Sequence, residues 1–170
     1  MAASTLPLAR LIALLVPVLL LGGAYASQYL GGLHPCEMCW WQRYPHMAAI
    51  PLAGAAWLTR GRPRTSTLLT ALAALAIAIS GGIGLFHAGV EYGWWQGLTA
   101  CAATPGGGSA DILASIMAAP ITRCDVAPWT LLGISLAGYN GLLSVGAALA
   151  ILSLLVPART GGRTGGRRRA

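Results

Sequence analysis

Four stretches of the chain are almost free of charge and long enough to cross a bilayer, which takes about 20 mostly apolar residues. They cover residues 11–29, 41–58, 67–87 and 129–156. The fourth has length to spare for tilting or for extending past the hydrocarbon. The second is the most polar, carrying Arg43, His46 and Pro51, and its start is expected in the headgroup layer, where an arginine snorkels. Trp40, Trp41, Tyr44, Trp57, Trp94, Trp95 and Trp129 fall at span ends, where amphipathic rings anchor a helix to the interface. The pattern predicts an all-α membrane protein: a bundle of four transmembrane helices over residues 1–158 and a flexible tail over 159–170. A short loop (31–40) and a long loop (88–128) join the spans. In the long loop Ile112, Leu113, Ile116 and Met117 recur at helical spacing behind Ser109 and Asp111, which predicts a short interfacial helix over 110–119. The run Thr-Pro-Gly-Gly-Gly-Ser before it lacks the lysine and preceding strand of a phosphate loop and reads as a hinge.

Composition supports the bilayer as solvent. The 170 residues are 56% hydrophobic and only 9% charged, against about 25% charged in a soluble domain. Charge position then orients the spans. All eleven basic residues are arginine, and nine of them cluster at Arg10, at Arg60, Arg62 and Arg64, and from Arg159 to the end, while Glu37, Glu91, Asp111 and Asp125 fall between the clusters. Positive-inside bias places both termini and the 60–64 loop in the cytoplasm, and the other two loops on the outer face of the membrane. A net charge of +7 arranged by side of a membrane is not a nucleic-acid footprint, which needs a basic face with interleaved aromatics. The Gly- and Arg-rich tail is expected to be drawn to anionic lipid. Arg10, the apolar run after it and Ala24-Tyr25-Ala26 resemble a cleavable signal peptide, but the apolar stretch continues to Leu30, so retention as a span is the expectation.

All four cysteines fall in the outward loops: Cys36 and Cys39 as a C-x-x-C before the second span, Cys101 and Cys124 in the long loop. An even count on that face fits a compartment where disulfides persist. A c-type haem site would need His after the second cysteine, where Trp40 stands. Zinc could take all four thiolates, yet the second pair lacks short knuckle spacing. Redox exchange needs a stabilised thiolate, and Cys39 at the expected helix start with Arg43 four residues on, on the same face, supplies the setting. Two pairs suggest a relay from a water-soluble partner to a lipid-soluble acceptor, with Cys101 and Cys124 as a structural staple the alternative. His46 and His87, near the outer ends of the second and third spans, could ligate haem across the bundle; His46 also reads as a structural histidine, and His87 as a hydrogen-bond partner for a quinone carbonyl beside Arg43. His34 reads as exposed.

Pro35-Cys36-x-x-Cys39-x-x-x-Arg43, then His87, Cys101 and Cys124-Asp125-x-x-Pro128-Trp129-x-x-x-Gly133-Ile134-Ser135, resemble the disulfide bond formation protein B family (DsbB-like) from about residue 30 to residue 140. The resemblance implies a four-helix membrane enzyme that reoxidises a periplasmic thioredoxin-fold dithiol oxidase (DsbA-like) and passes electrons to a membrane quinone, ubiquinone or menaquinone. It further implies that Cys101 forms the mixed disulfide with the partner and pairs with Cys124 at rest. Cys36 and Cys39 would be the second disulfide, Cys39 next to the quinone, with Arg43 and His87 as quinone-binding residues. Trp40-Trp41-Gln42 and Glu37 stand where many relatives differ, which bears on redox potential and quinone preference rather than on reaction class.

Overall fold

The computed structural model describes residues 5–98, 102–103 and 121–156. Four helices form among them: α1 (Leu6–Tyr29), α2 (Glu37–Leu58), α3 (Pro63–Glu91) and α4 (Leu136–Leu155). By length and composition α1, α3 and α4 suffice to cross a membrane; α2 is 22 residues long, but Glu37, Gln42, Arg43 and His46 make its first turns polar. The first three helices start four or five residues before the apolar runs do. Proline explains two of these starts: Pro7 and Pro63 sit in the first turns of α1 and α3, where a missing N–H is no loss and the fixed φ suits a helix.

The fourth span needs correction. Residues 129–156 are not one helix: Thr130–Leu131 (β3) and Ile134–Ser135 (β4) pair antiparallel, and α4 begins only at Leu136. The two residues between the strands have positive φ, +51° at Leu132 and +78° at Gly133, the backbone of a tight hairpin turn that glycine adopts freely and leucine does not. Ser135 then caps α4, its Oγ accepting the Gly138 N–H at 3.1 Å. Tyr92, at the end of α3, clamps the hairpin by donating its hydroxyl to Gly133 O at 3.0 Å and accepting the Ser135 N–H at 2.9 Å. A second short pairing joins Ala102–Ala103 (β1) to Ile121–Thr122 (β2). Cys101, the helix expected over 110–119 and the tail over 159–170 lie outside the described residues.

The bundle runs up and down. Helix α3 packs along α2 and α4, and α1 closes the other side against those same two helices. The core is built from small residues, among them Ala9, Ala13, Ala49, Ala53, Ala73 and Ala74. In lipid, helices gain little from apolar burial and associate by close van der Waals approach, which small residues allow. A Cβ added at Gly84 of α3 would lie 2.9 Å from Ala137 O and from the Gly141 N of α4. Gly84→Val is therefore expected to destabilise the protein by about 2 kcal/mol; thermal unfolding in detergent checks this, and an unchanged midpoint would contradict the backbone contact.

Polar links hold the end opposite the cysteines. Thr5 Oγ1 donates to Leu154 O at 2.9 Å. Arg10 is 6% exposed, and lies inside α1 rather than ahead of it; its Nε donates to Ser66 Oγ at 2.7 Å, and Ser66 Oγ donates to Ala56 O at 2.7 Å. One residue thus ties α1, α2 and α3 together. The turn carrying Arg60 and Arg62 is at this end, so the arginine cluster and the cysteines occupy opposite ends of the bundle.

Candidate functional site

Cys36, with an extended backbone, caps α2, and its Sγ accepts the Cys39 N–H at 3.3 Å. The cysteine at the helix start is therefore Cys36, and Cys39 stands one turn in. Their sulfurs lie 2.9 Å apart. Cys36 is buried in a cluster with Met38, Val90 and Cys124, flanked by Cys39, Trp41 and Phe86. The loop cysteine Cys124 is thus brought onto the C-x-x-C pair. The hydrogen bond to Cys39, together with burial, pushes the Cys36 thiol well above the ordinary thiol range. Beside Cys124, Arg123 donates to both Asp125 carboxylate oxygens, at 2.9 and 2.6 Å; those bonds hold the exposed Asp125 carboxyl below its usual range. Glu37 is exposed.

A chain of hydrogen bonds runs from Cys36 into the bundle. His87, 1% exposed, places Nε2 at 3.6 Å from Cys36 Sγ and Nδ1 at 2.8 Å from Gln42 Nε2. Gln42 Nε2 also donates to Met38 O at 3.1 Å. An amide nitrogen only donates, so His87 Nδ1 is the acceptor and a neutral ring carries its hydrogen on Nε2, towards the sulfur. Gln42 Oε1 accepts from Asn140 Nδ2 at 2.9 Å, and that nitrogen also reaches the carbonyl of Ser80 at 3.3 Å. A carbonyl cannot face the amide oxygen, which fixes Asn140 with Oδ1 towards His46 Nε2 at 2.9 Å. In the series His46, Asn140, Gln42, His87, each residue directs a donor to the next, and the series ends at Cys36. Glu91 adds a buried carboxylate 3.8 Å from His87 Nε2. Gln42→Leu strands His87 Nδ1 and breaks the series, and is expected to lower stability by about 2 kcal/mol; denaturation in detergent measures it, and a neutral result would show that water replaces the amide.

Arg43, 6% exposed, is held between α1 and α2. It donates to Gln28 Oε1 at 2.6 Å and to Ala24 O at 3.1 Å, and its guanidinium lies 4.9 Å from the ring centres of both Tyr25 and Trp40. Beside it opens an apolar cavity of about 240 Å³ whose wall includes Leu20, Ala24, Cys39, Arg43, His46 and Asn140. Cys36 and His87 do not line this cavity; His87 serves Cys36 and Gln42 instead. The exposed His34 stands at its edge. Donor atoms of Cys36, Cys39 and His87 lie within 4.8 Å of one another, close enough for a soft metal ion.

Gln42, Asn140, Ser80 and Glu91 do not stand out in the sequence as site residues. Their one signal is polarity inside apolar helices, where a polar side chain is expensive unless partnered. The arrangement brings a loop cysteine, a helix-start dithiol and an apolar cavity into succession, which is suited to moving electrons between a protein thiol and a lipid-soluble carrier.

No solved structure matches the chain. Among curated proteins, Uncharacterized protein RP370 of Rickettsia prowazekii (strain Madrid E) is 27% identical over 140 residues, covering 80% of each chain. The family model described as disulfide bond formation protein DsbB matches residues 7–154, which include both ends of the bundle, the C-x-x-C and the long loop. The chain therefore belongs to the DsbB family, membrane proteins of disulfide bond formation.

Proposed function

We propose that the chain is a thiol:quinone oxidoreductase of the bacterial inner membrane that reoxidises a periplasmic DsbA-like dithiol oxidase and passes the electrons to a membrane quinone. In this reading both termini face the cytoplasm and both cysteine loops the periplasm, the orientation that the arginines favour. The observation that carries it is the double position of Cys39. Its sulfur is 2.9 Å from Cys36 Sγ, in a cluster that includes Cys124, and its side chain also lines the cavity beside Arg43.

The cavity suits a quinone ring. An apolar cavity of about 150 Å³ holds benzene, and the space here is about 240 Å³, with Arg43 and His46 as polar groups in an apolar wall. A quinone bound there would accept two electrons and two protons, the yield of one dithiol. Arg43 keeps a fixed positive charge at the place where negative charge develops during that transfer.

The protein's own sulfurs supply the remaining steps. In the resting enzyme Cys101 and Cys124 are paired; a partner thiolate attacks Cys101 and expels Cys124. The second partner thiolate then releases Cys101, and the partner leaves as a disulfide. The resulting Cys101–Cys124 dithiol reduces the Cys36–Cys39 disulfide, with Cys124 already packed on Cys36. The pairing of Ala102 with Thr122 ties together the chain next to each loop cysteine. The sum is partner dithiol plus quinone giving partner disulfide plus quinol, balanced in electrons and protons.

The test is thiol titration of the purified protein mixed with a reduced DsbA-like oxidase, with and without short-chain quinone. Quinone-dependent loss of partner thiols is the expected result. A protein whose disulfides merely staple its loops leaves the partner reduced, and that outcome sinks the proposal. A Soret band in the purified protein would favour the haem reading instead.

A further inference from the structure

The β3–β4 hairpin places a leucine where a water-facing turn has another residue. Its two positive φ angles, +51° at Leu132 and +78° at Gly133, are the backbone for which hairpins in water select Asn-Gly or Asp-Gly. Leucine adopts it only against its own sterics. With Leu132 90% exposed, contacts within the described residues offset little of that strain. Leu131 and Trp129 are also exposed, and no charged residue occurs between Asp125 and Arg159. An apolar set on a strained turn has its explanation in a solvent that takes the side chains up.

Three features identify that solvent as lipid. Helix α4 has 20 residues, which at about 1.5 Å each span the roughly 30 Å of the hydrocarbon layer, so the hairpin stands at the boundary where that layer ends. Backbone at this depth cannot rely on water, and two tyrosines serve it instead: Tyr92 donates to Gly133 O at 3.0 Å and Tyr139 to Leu131 O at 3.1 Å. The lipid-facing surface also continues onto the hairpin, because Ile134 of β4 lines an apolar groove between α3 and α4 together with Leu85, Phe86, Trp94, Trp95 and Leu142. We propose that Trp129, Leu131 and Leu132 insert between the headgroups and acyl chains of the leaflet on the cysteine side, and that the hairpin is a membrane anchor for the loop carrying Cys124. Trp129 follows Cys124 by five positions, a length of chain that reaches at most about 18 Å, so the anchor bounds the height to which Cys124 can rise above the bilayer. The anchor goes beyond the thiol:quinone reading and does not depend on it.

Hydroxyl-radical footprinting of the full-length wild type in nanodiscs of phosphatidylethanolamine and phosphatidylglycerol reads which side chains water reaches. Corrected for intrinsic reactivity, Leu131 and Leu132 are expected to be oxidised about tenfold more slowly than the exposed His34. Oxidation of Leu132 at the rate of His34 overturns the proposal, because water then covers the tip. Photocrosslinking identifies the cover. Leu132→p-benzoylphenylalanine, irradiated in the same nanodiscs, is expected to gain the mass of one phospholipid. Its yield should be about tenfold that of the same substitution at Asp125, an exposed position ion-paired with Arg123. Crosslinks in place of lipid to the chain between residues 99 and 120, or to an added DsbA-like oxidase, overturn the anchor and leave the thiol:quinone reading standing. Should the Leu132 variant not fold, the same substitution at Leu131, outside the turn, is read by the same outcomes.

Discussion

Cys39→Ser is expected to reduce quinone-coupled oxidation of the partner by at least about a thousandfold, the scale on which loss of a covalent nucleophile is felt. Cys39 is the one described cysteine that lines the cavity, while Cys36 is buried as the cap of α2 beside Cys124. In the variant Cys36 still exchanges with the loop sulfurs, but nothing carries the electrons onward. The expected signature is therefore a single round of partner oxidation followed by arrest, with Cys36 and both loop cysteines left as free thiols that added quinone does not reoxidise. Cys39→Ser turning over within tenfold of wild type would show that electrons leave by another sulfur.

Arg43→Ala is expected to slow steady-state turnover about a hundredfold, the loss typical of removing one fixed donor from a site of developing charge. A single cycle of partner oxidation without quinone should stay within about threefold of wild type, because that step involves sulfurs alone. The split is the test. Arg43 is anchored by Gln28 and Ala24 of α1 and stacked on Tyr25 and Trp40, so the variant also loses packing between α1 and α2. Equal loss of both activities would identify that packing, and not the charge, as the contribution of Arg43. Arg43→Lys discriminates further: an ammonium retains charge but not the forked contact with Gln28 and the Ala24 carbonyl.

Much of the architecture is legible in the chain because the bilayer imposes one strong rule, and apolar length announces α1, α3 and α4 directly. The start of the fourth helix is not legible in the sequence, because Trp129, Leu131, Leu132 and Ile134 are as apolar as a span. The hairpin depends on positive φ at Leu132, a residue that gives no turn signal of its own. The C-x-x-C and Arg43 stand out by type and spacing. Gln42 and Asn140 do not: Gln42 is masked by its polar neighbours Arg43 and His46, Asn140 stands alone in an apolar run, and their meeting depends on how α2 and α4 are rotated about their axes, which sequence does not encode locally. His46 reads as an ordinary structural histidine on one side, with Nε2 bonded to Asn140, and its unsatisfied Nδ1 emerges only from the three-dimensional arrangement. His87 was expected beside Arg43, and its place against Cys36 follows from the way α3 crosses α2.

The buried Arg10 makes the first helix depend on the third. Its polar partner, Ser66, lies 56 positions further along the chain, in α3, so α1 taken alone carries a cation with no partner within its own segment. A charge inside an apolar helix is expensive in lipid unless it is paired. Packing of α3 beside α1 supplies the missing acceptor and fixes the register of the two helices at that point.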